Sequence, residues 1–129
     1  MRQPVVFIVD DEPSVADVTT EALCVLPCEI HAFHDSLSAL EAARTVPPAV
    51  LVTDFRMPNM NGLELAAKVR EINPMSEVLL LSGHATEAAE ANDRVQKIRF
   101  FQKPLSVSDL IEHVRALLND LTQRNSNKG

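Results

Sequence analysis

The chain has 129 residues, 46% hydrophobic and 23% charged, with 12 Lys and Arg against 18 Asp and Glu for a net charge of −6. That length and apolar fraction suffice for one core without disulfides or a structural metal, and leave no room for a second domain of ordinary size. The negative charge disfavours phosphate backbones and anionic lipid, no apolar run can span a bilayer, and the N-terminus lacks a secretory apolar stretch; the chain is therefore placed in the cytoplasm, with no direct nucleic-acid contact and no membrane contact.

The first predicted strand, Val5–Val9, is wholly apolar and runs into Asp10, Asp11 and Glu12. Pro13 suits a first helical turn, and Val15, Val18, Ala22 and Val25 follow at spacings of three and four, giving a helix that reads on to Pro27. Cys24 and Cys28 fall here; they lack the partners of a disulfide framework or a zinc site and read as buried or half-buried thiols. A second strand, Glu29–Phe33, precedes a helix capped by Ser36, with Leu37, Leu40 and Ala43 on one face. The third strand, Ala49–Thr53, ends at Asp54, and the helix after Gly62 carries Leu63, Leu65, Ala66, Val69 and Ile72 before stopping at Asn73-Pro74. The fourth strand, Glu77–Leu81, ends at Ser82; a weaker helix opens at Thr86 through Ala88, Ala89 and Val95. The fifth strand, Ile98–Gln102, runs into Lys103-Pro104, and Ser106 opens a last helix with Leu110, Ile111, Val114 and Leu117 facing inward. Residues 1–121 form one predicted domain, and the polar stretch 122–129 reads as a tail or the start of a linker. His31, His34 and His113 are scattered and read as surface or structural.

Five strands alternating with helices imply an α/β fold, a (βα)5 doubly wound parallel sheet joined by right-handed crossovers and covered by helices on both faces in three layers. The first, third and fourth strands are nearly all apolar, as parallel strands covered on both faces must be, whereas the second and fifth carry polar residues suited to edges.

Chemistry in such a sheet collects beyond the carboxyl ends of the strands. Those ends supply Asp10, Asp11 and Glu12, then Asp54, Ser82 and Lys103. Carboxylates gathered on one rim repel one another unless a cation sits among them, and an all-oxygen, hydrated site suits Mg²⁺. Taken singly, Asp10 or Glu12 reads equally well as a helix cap. Glycine-rich phosphate loops are missing, and Ser82 is not set in a nucleophile elbow, so dinucleotide-binding and α/β-hydrolase readings fail. A carboxylate nucleophile beside a metal remains, a chemistry that can form an aspartyl-phosphate.

Four segments then carry a family resemblance: Val9-Asp10-Asp11-Glu12-Pro13, Asp54 through Gly62, Leu81-Ser82-Gly83-His84, and Phe100-Phe101-Gln102-Lys103-Pro104. In this order, at the ends of the first, third, fourth and fifth strands, they resemble the receiver domains of two-component response regulators, of the single-domain, chemotaxis-regulator-like type, from Val5 to about Leu118. The resemblance implies a flavodoxin-like sheet in the order 2-1-3-4-5. It implies that Asp54 is the phosphoacceptor for a sensor histidine kinase or histidine phosphotransfer protein, and that Mg²⁺ is held by Asp10 through water, by Asp11 and Asp54 directly, and by the Arg56 carbonyl. Lys103 and Ser82 would bind the phosphoryl oxygens. Phe100 occupies the switch-aromatic position, with a plain core aromatic as the other reading. Arg56 and His84 would flank the phosphoryl group and tune its hydrolysis, or be simply exposed.

Pro58, Gly62 and Pro104 read as structural, Pro58 by fixing one φ and Gly62 by permitting a positive φ before its helix. Gly83 stands where the family more often has Ala. The implied activity is self-phosphorylation from phosphodonors and slow autodephosphorylation rather than turnover of a substrate. The implied output is a switch of the face built by the fourth helix, fifth strand and fifth helix, acting on a downstream protein or a fused output domain, with phosphorylation-dependent dimerisation as a further association. A degenerate receiver that binds proteins without phosphorylation, and a hydrolase of phosphorylated small molecules, are the readings set against it.

Overall fold

The computed structural model describes residues 3–83, 98–103 and 106–127. Their elements are β1 (Val5–Val9), α1 (Pro13–Leu23), β2 (Glu29–Phe33), α2 (Ser36–Thr45), β3 (Val50–Asp54), α3 (Gly62–Ile72), β4 (Glu77–Ser82), β5 (Ile98–Gln102) and α4 (Val107–Asn127). The helix expected from Thr86, together with His84 and Pro104, lies outside the described residues.

All five strands are parallel and run in the order β2-β1-β3-β4-β5. The expected sheet is therefore present, with polar β2 and β5 at its edges and fully buried β1 between β2 and β3. Side chains alternate across the sheet. Val5, Phe7, Val9, Leu51 and Val78 pack with Leu40 and Ala43 of α2 and Leu65 and Val69 of α3. Val6, Ile8, Val50, Val52, Leu79 and Leu81 pack on the other face with Leu23 of α1 and Leu110, Val114 and Leu117 of α4. Each large side chain so enclosed contributes about 1.5–3 kcal/mol of apolar transfer.

Several local expectations are corrected. α1 ends at Leu23, with Cys24 as its C-cap, so Val25 lies beyond the helix and is 70% exposed. The buried residues of α1 are Ala16 and Leu23, one turn-face round from the valine stripe, and Val18 points outward. Cys24 is exposed rather than half-buried, and Cys28 is partly covered. The N-cap of α2 is Asp35, whose carboxylate accepts from the Ser38 N–H at 2.7 Å; Ser36 sits one residue later, buried inside the first turn, and Leu37 is exposed. An N-cap must lie outside the helix with its side chain turned back onto the third residue after it, and Asp35 meets that condition here. The polar stretch from Thr122 continues the helical backbone of α4 as far as Asn127. Among the described residues no helix is long and apolar enough to cross a membrane.

Candidate functional site

Strands β1 and β3 lie side by side in parallel, so their last residues open onto one rim of the sheet. There the carboxylates of Asp10, Asp11 and Asp54 bring one oxygen each within 4.8 Å of the others. The three differ in surroundings: Asp10 is buried, Asp54 partly so and Asp11 exposed. Lys103, one residue past β5, reaches across and places Nζ 2.8 Å from Asp54 Oδ1. Its own N–H donates to the Ser82 carbonyl at 2.6 Å, which ties the lysine backbone to the end of β4.

Burial pushes the Asp10 carboxyl above its ordinary value, and the neighbouring charges of Asp54 and Asp11 push the same way. The Glu12 N–H, donating to Asp10 Oδ1 at 3.0 Å, and the Lys103 ammonium oppose that shift without cancelling it. For Lys103, burial works against the ammonium, but the hydrogen bond to Asp54 and the charges of Asp54, Asp10 and Glu12 outweigh it and hold the lysine above its ordinary value. A buried acid disfavouring its own charge, beside two more carboxylates and one cation, leaves an excess of negative charge that a divalent cation with oxygen ligands would neutralise. The donor set thus fits Mg²⁺.

The loop from Phe55 to Asn61 is held tightly. The Phe55 N–H donates to the Leu81 carbonyl at 2.8 Å and lies 3.1 Å from Asp54 Oδ1, while the Gly62 N–H donates to the Phe55 carbonyl at 2.7 Å. Gly62 does not take the positive φ expected of it; among the described residues that conformation belongs to Asn59, with φ 71°. Asn59 centres a γ-turn closed by the Met60 N–H on the Pro58 carbonyl at 2.8 Å, a conformation asparagine tolerates better than most residues. Gly62 is needed for a different reason: a Cβ there would lie 2.1 Å from the carbonyl oxygen of Asp54. Asn61 and Glu64 close the start of α3 with a reciprocal capping box at 2.8 and 3.1 Å.

Of the other sequence-predicted residues, Ser82 ends β4 and is buried, and exposed Arg56 lines an open cleft with Asp11, Met57, Pro58 and Asn61. Phe100 is partly buried on β5 and packs against the core group Phe55, Leu63 and Leu80, whereas neighbouring Phe101 faces the opposite side with His113, ring centroids 4.2 Å apart. The structure therefore brings Asp10, Asp11, Asp54 and Lys103 together directly and sets Ser82, Arg56, Pro58 and Gly62 around them.

The family model for the response regulator receiver domain matches residues 6–115. The chain belongs to the response regulator receiver domain family. Its curated relatives include the transcriptional regulatory protein TcrX of Mycobacterium tuberculosis, 38% identical over 122 residues that make up 90% of this chain and 50% of that protein. The DNA-binding transcriptional regulator NtrC of Escherichia coli is 28% identical over 92% of this chain and 26% of its own length. The receiver thus spans half or less of these relatives. Among solved structures, a two-component transcriptional regulator AraC from Clostridium phytofermentans superposes with TM-score 0.84 at 27% identity, covering 96% of this chain and 98% of that one. A CheY-like receiver domain from Methanospirillum hungatei shares the fold, with TM-score 0.85 at 21% identity over 95% and 98% of the two chains. As a receiver domain the chain is a signalling module of two-component systems.

Proposed function

We propose that this receiver accepts a phosphoryl group on Asp54 from the phosphohistidine of a sensor kinase or phosphotransfer protein, and relays the change to a partner or output domain. The observation that carries this reading is the convergence of Asp54 with Asp10, Asp11 and Lys103 at the ends of β1, β3 and β5.

Asp54 ends a buried strand, with one carboxylate oxygen occupied by Lys103 and lying near the Phe55 N–H, so its side chain is held rather than free to swing. An Asp54 oxygen forms the new P–O bond as the P–N bond of the donor breaks and the imidazole leaves with its electron pair. Lys103 turns from the carboxylate to the phosphoryl oxygens, and the Ser82 hydroxyl donates to another of them. Asp10, Asp11, Asp54 and the Arg56 carbonyl would hold Mg²⁺, which when bound supplies positive charge to the phosphoryl oxygens. Arg56, exposed in the cleft beside Asp11, sets the rate of its hydrolysis. Phosphorylation adds about −1.5 to −2 charges at Asp54. The new acceptors draw on Ser82 and Lys103, whose backbones are already joined, so that the ends of β4 and β5 move together with Phe100 and the face beyond them.

The test is transfer of radiolabel from acetyl phosphate with Mg²⁺. Wild-type protein takes up label and Asp54→Asn does not; equal labelling of the two would refute the reading.

A further inference from the structure

The acidic residues sit on two separate loops, Asp10 and Asp11 after β1 and Asp54 with Arg56 at the end of β3, so the site depends on how those loops are held relative to each other. One short segment touches both. Between β2 and α2, the Phe33 carbonyl accepts the Asp10 N–H at 3.1 Å, and three residues later the Ser36 hydroxyl donates to the Met60 carbonyl at 2.8 Å. Ser36 is 1% exposed, so this bond is shielded from competing water. Its acceptor is equally constrained, because the Met60 N–H closes the turn on Pro58 and the Met60 side chain is buried in the core beside α2. The Asp35 carboxylate fixes the segment in turn by capping α2 through the Ser38 N–H and hydroxyl at 2.7 and 2.8 Å.

We infer that Ser36 is a positioning residue for the phosphoacceptor site, its hydroxyl bracing the Arg56–Met60 loop against the corner that holds Asp10. This rests on the reading that Asp10, Asp11, Asp54 and the Arg56 carbonyl bind a divalent cation. Ser36 touches none of the reacting atoms; it acts by fixing the carbonyl-bearing loop at the distance from Asp10 that a shared cation requires. Groups that orient metal ligands from behind are worth substantial affinity even though they never meet the ion.

The fold supplies its own control. Ser76 is likewise 1% exposed, and its hydroxyl donates to the Pro48 carbonyl at 2.6 Å, but it lies where β3 and β4 begin, at the opposite end of the sheet from the acidic cluster. Ser36→Ala and Ser76→Ala therefore each remove one shielded hydroxyl-to-carbonyl bond, and only the first removes a brace of the site.

The experiment is Mg²⁺ titration of wild type and both variants followed by backbone amide shifts, with thermal unfolding alongside. Both variants are expected to lose similar stability. Ser36→Ala should weaken Mg²⁺ binding by about three- to tenfold, at or below the range for direct partners of metal ligands. Labelling from acetyl phosphate in that variant should recover at saturating Mg²⁺, and Ser76→Ala should bind Mg²⁺ as wild type does. Should Ser36→Ala not fold, Ser36→Cys, which keeps a weaker donor, should show a smaller shift in the same direction. Equal Mg²⁺ affinity in wild type and the Ser36 variants, or equal weakening in Ser76→Ala, overturns the inference while leaving the cation site standing. No Mg²⁺ response in wild type overturns the site reading and the inference together.

Discussion

Replacing Gly62 by Ala tests how closely the start of α3 approaches the end of β3. The added Cβ would lie 2.1 Å from the Asp54 carbonyl oxygen and 2.9 Å from a Leu80 methyl, so restoring an ordinary contact of 3.4 Å against the backbone requires a displacement of about 1.3 Å. The methyl of Leu80 can rotate, but the carbonyl belongs to the last residue of a strand bonded to β4 along its length and cannot yield without disturbing that pairing. Overpacking of this kind costs about 1–3 kcal/mol. The 2.7 Å bond from the Gly62 N–H to the Phe55 carbonyl is strained by the same shift, at about 1 kcal/mol, while the better helix propensity of alanine returns at most about 1 kcal/mol. The net is a loss of about 1–3 kcal/mol, equivalent to a fall in Tm of roughly 3–12 °C for a domain of this size. Gly83→Ala is the companion, because among the described residues nothing lies within 4 Å of a Cβ built there. Differential scanning calorimetry of the two variants beside wild type should show the large fall for Gly62→Ala and a change within about 2 °C for Gly83→Ala. Equal Tm values for the two would refute the reasoning.

Further outcomes follow from the same structure. Asp10 is buried with its carboxyl pushed up by burial and by Asp54 and Asp11, so Asp10→Asn, which keeps an oxygen for the Glu12 N–H, should raise Tm in buffer without divalent cation at neutral pH. Added Mg²⁺ should then stabilise wild type and narrow that gap, as thermal unfolding with and without the ion will show. Asp35→Ala removes the cap of α2 and should cost about 1 kcal/mol in chemical unfolding at neutral pH. Hydrogen bonds from the Ser38 N–H and hydroxyl hold the Asp35 carboxyl below its ordinary value of 3.8, so that stabilisation is complete above 3.8 and fades as the pH falls through the lower folded value. The difference between wild type and Asp35→Ala should accordingly shrink in acid below 3.8, and a gap that stays constant into strong acid would count against the cap.

The sheet was legible because apolar runs of five residues alternated with amphipathic stretches, and the five strands fall within one residue of where that pattern placed them. Helix phase was harder to read. In α1 the valines at Val15, Val18 and Val25 suggested an inward stripe, yet the helix stops at Leu23 and buries Ala16 and Leu23, which lie seven residues apart on one face about a quarter-turn from that stripe. The acidic cluster was legible because parallel strands deliver their ends to one rim, so position at a strand end was enough to group Asp10, Asp11, Asp54 and Lys103. What escaped the sequence were contacts between residues distant along the chain. Ser36 looked like a cap, and nothing local marks a hydroxyl that bonds a carbonyl 24 residues away. For Gly62 the residue was identified but the reason was not, since a close approach to Asp54 is a tertiary fact; Asn59, three residues earlier in Met-Pro-Asn-Met-Asn-Gly, was the available signal for the positive φ.

The central claim is that Asp54 alone carries the phosphoryl group. Protein exposed to acetyl phosphate and Mg²⁺, reduced with borohydride and digested, should show residue 54 converted to homoserine by peptide mass spectrometry, with Asp10, Asp11 and Glu12 intact. Conversion at Asp10 or Asp11 instead, or no conversion at any carboxylate, would contradict the account.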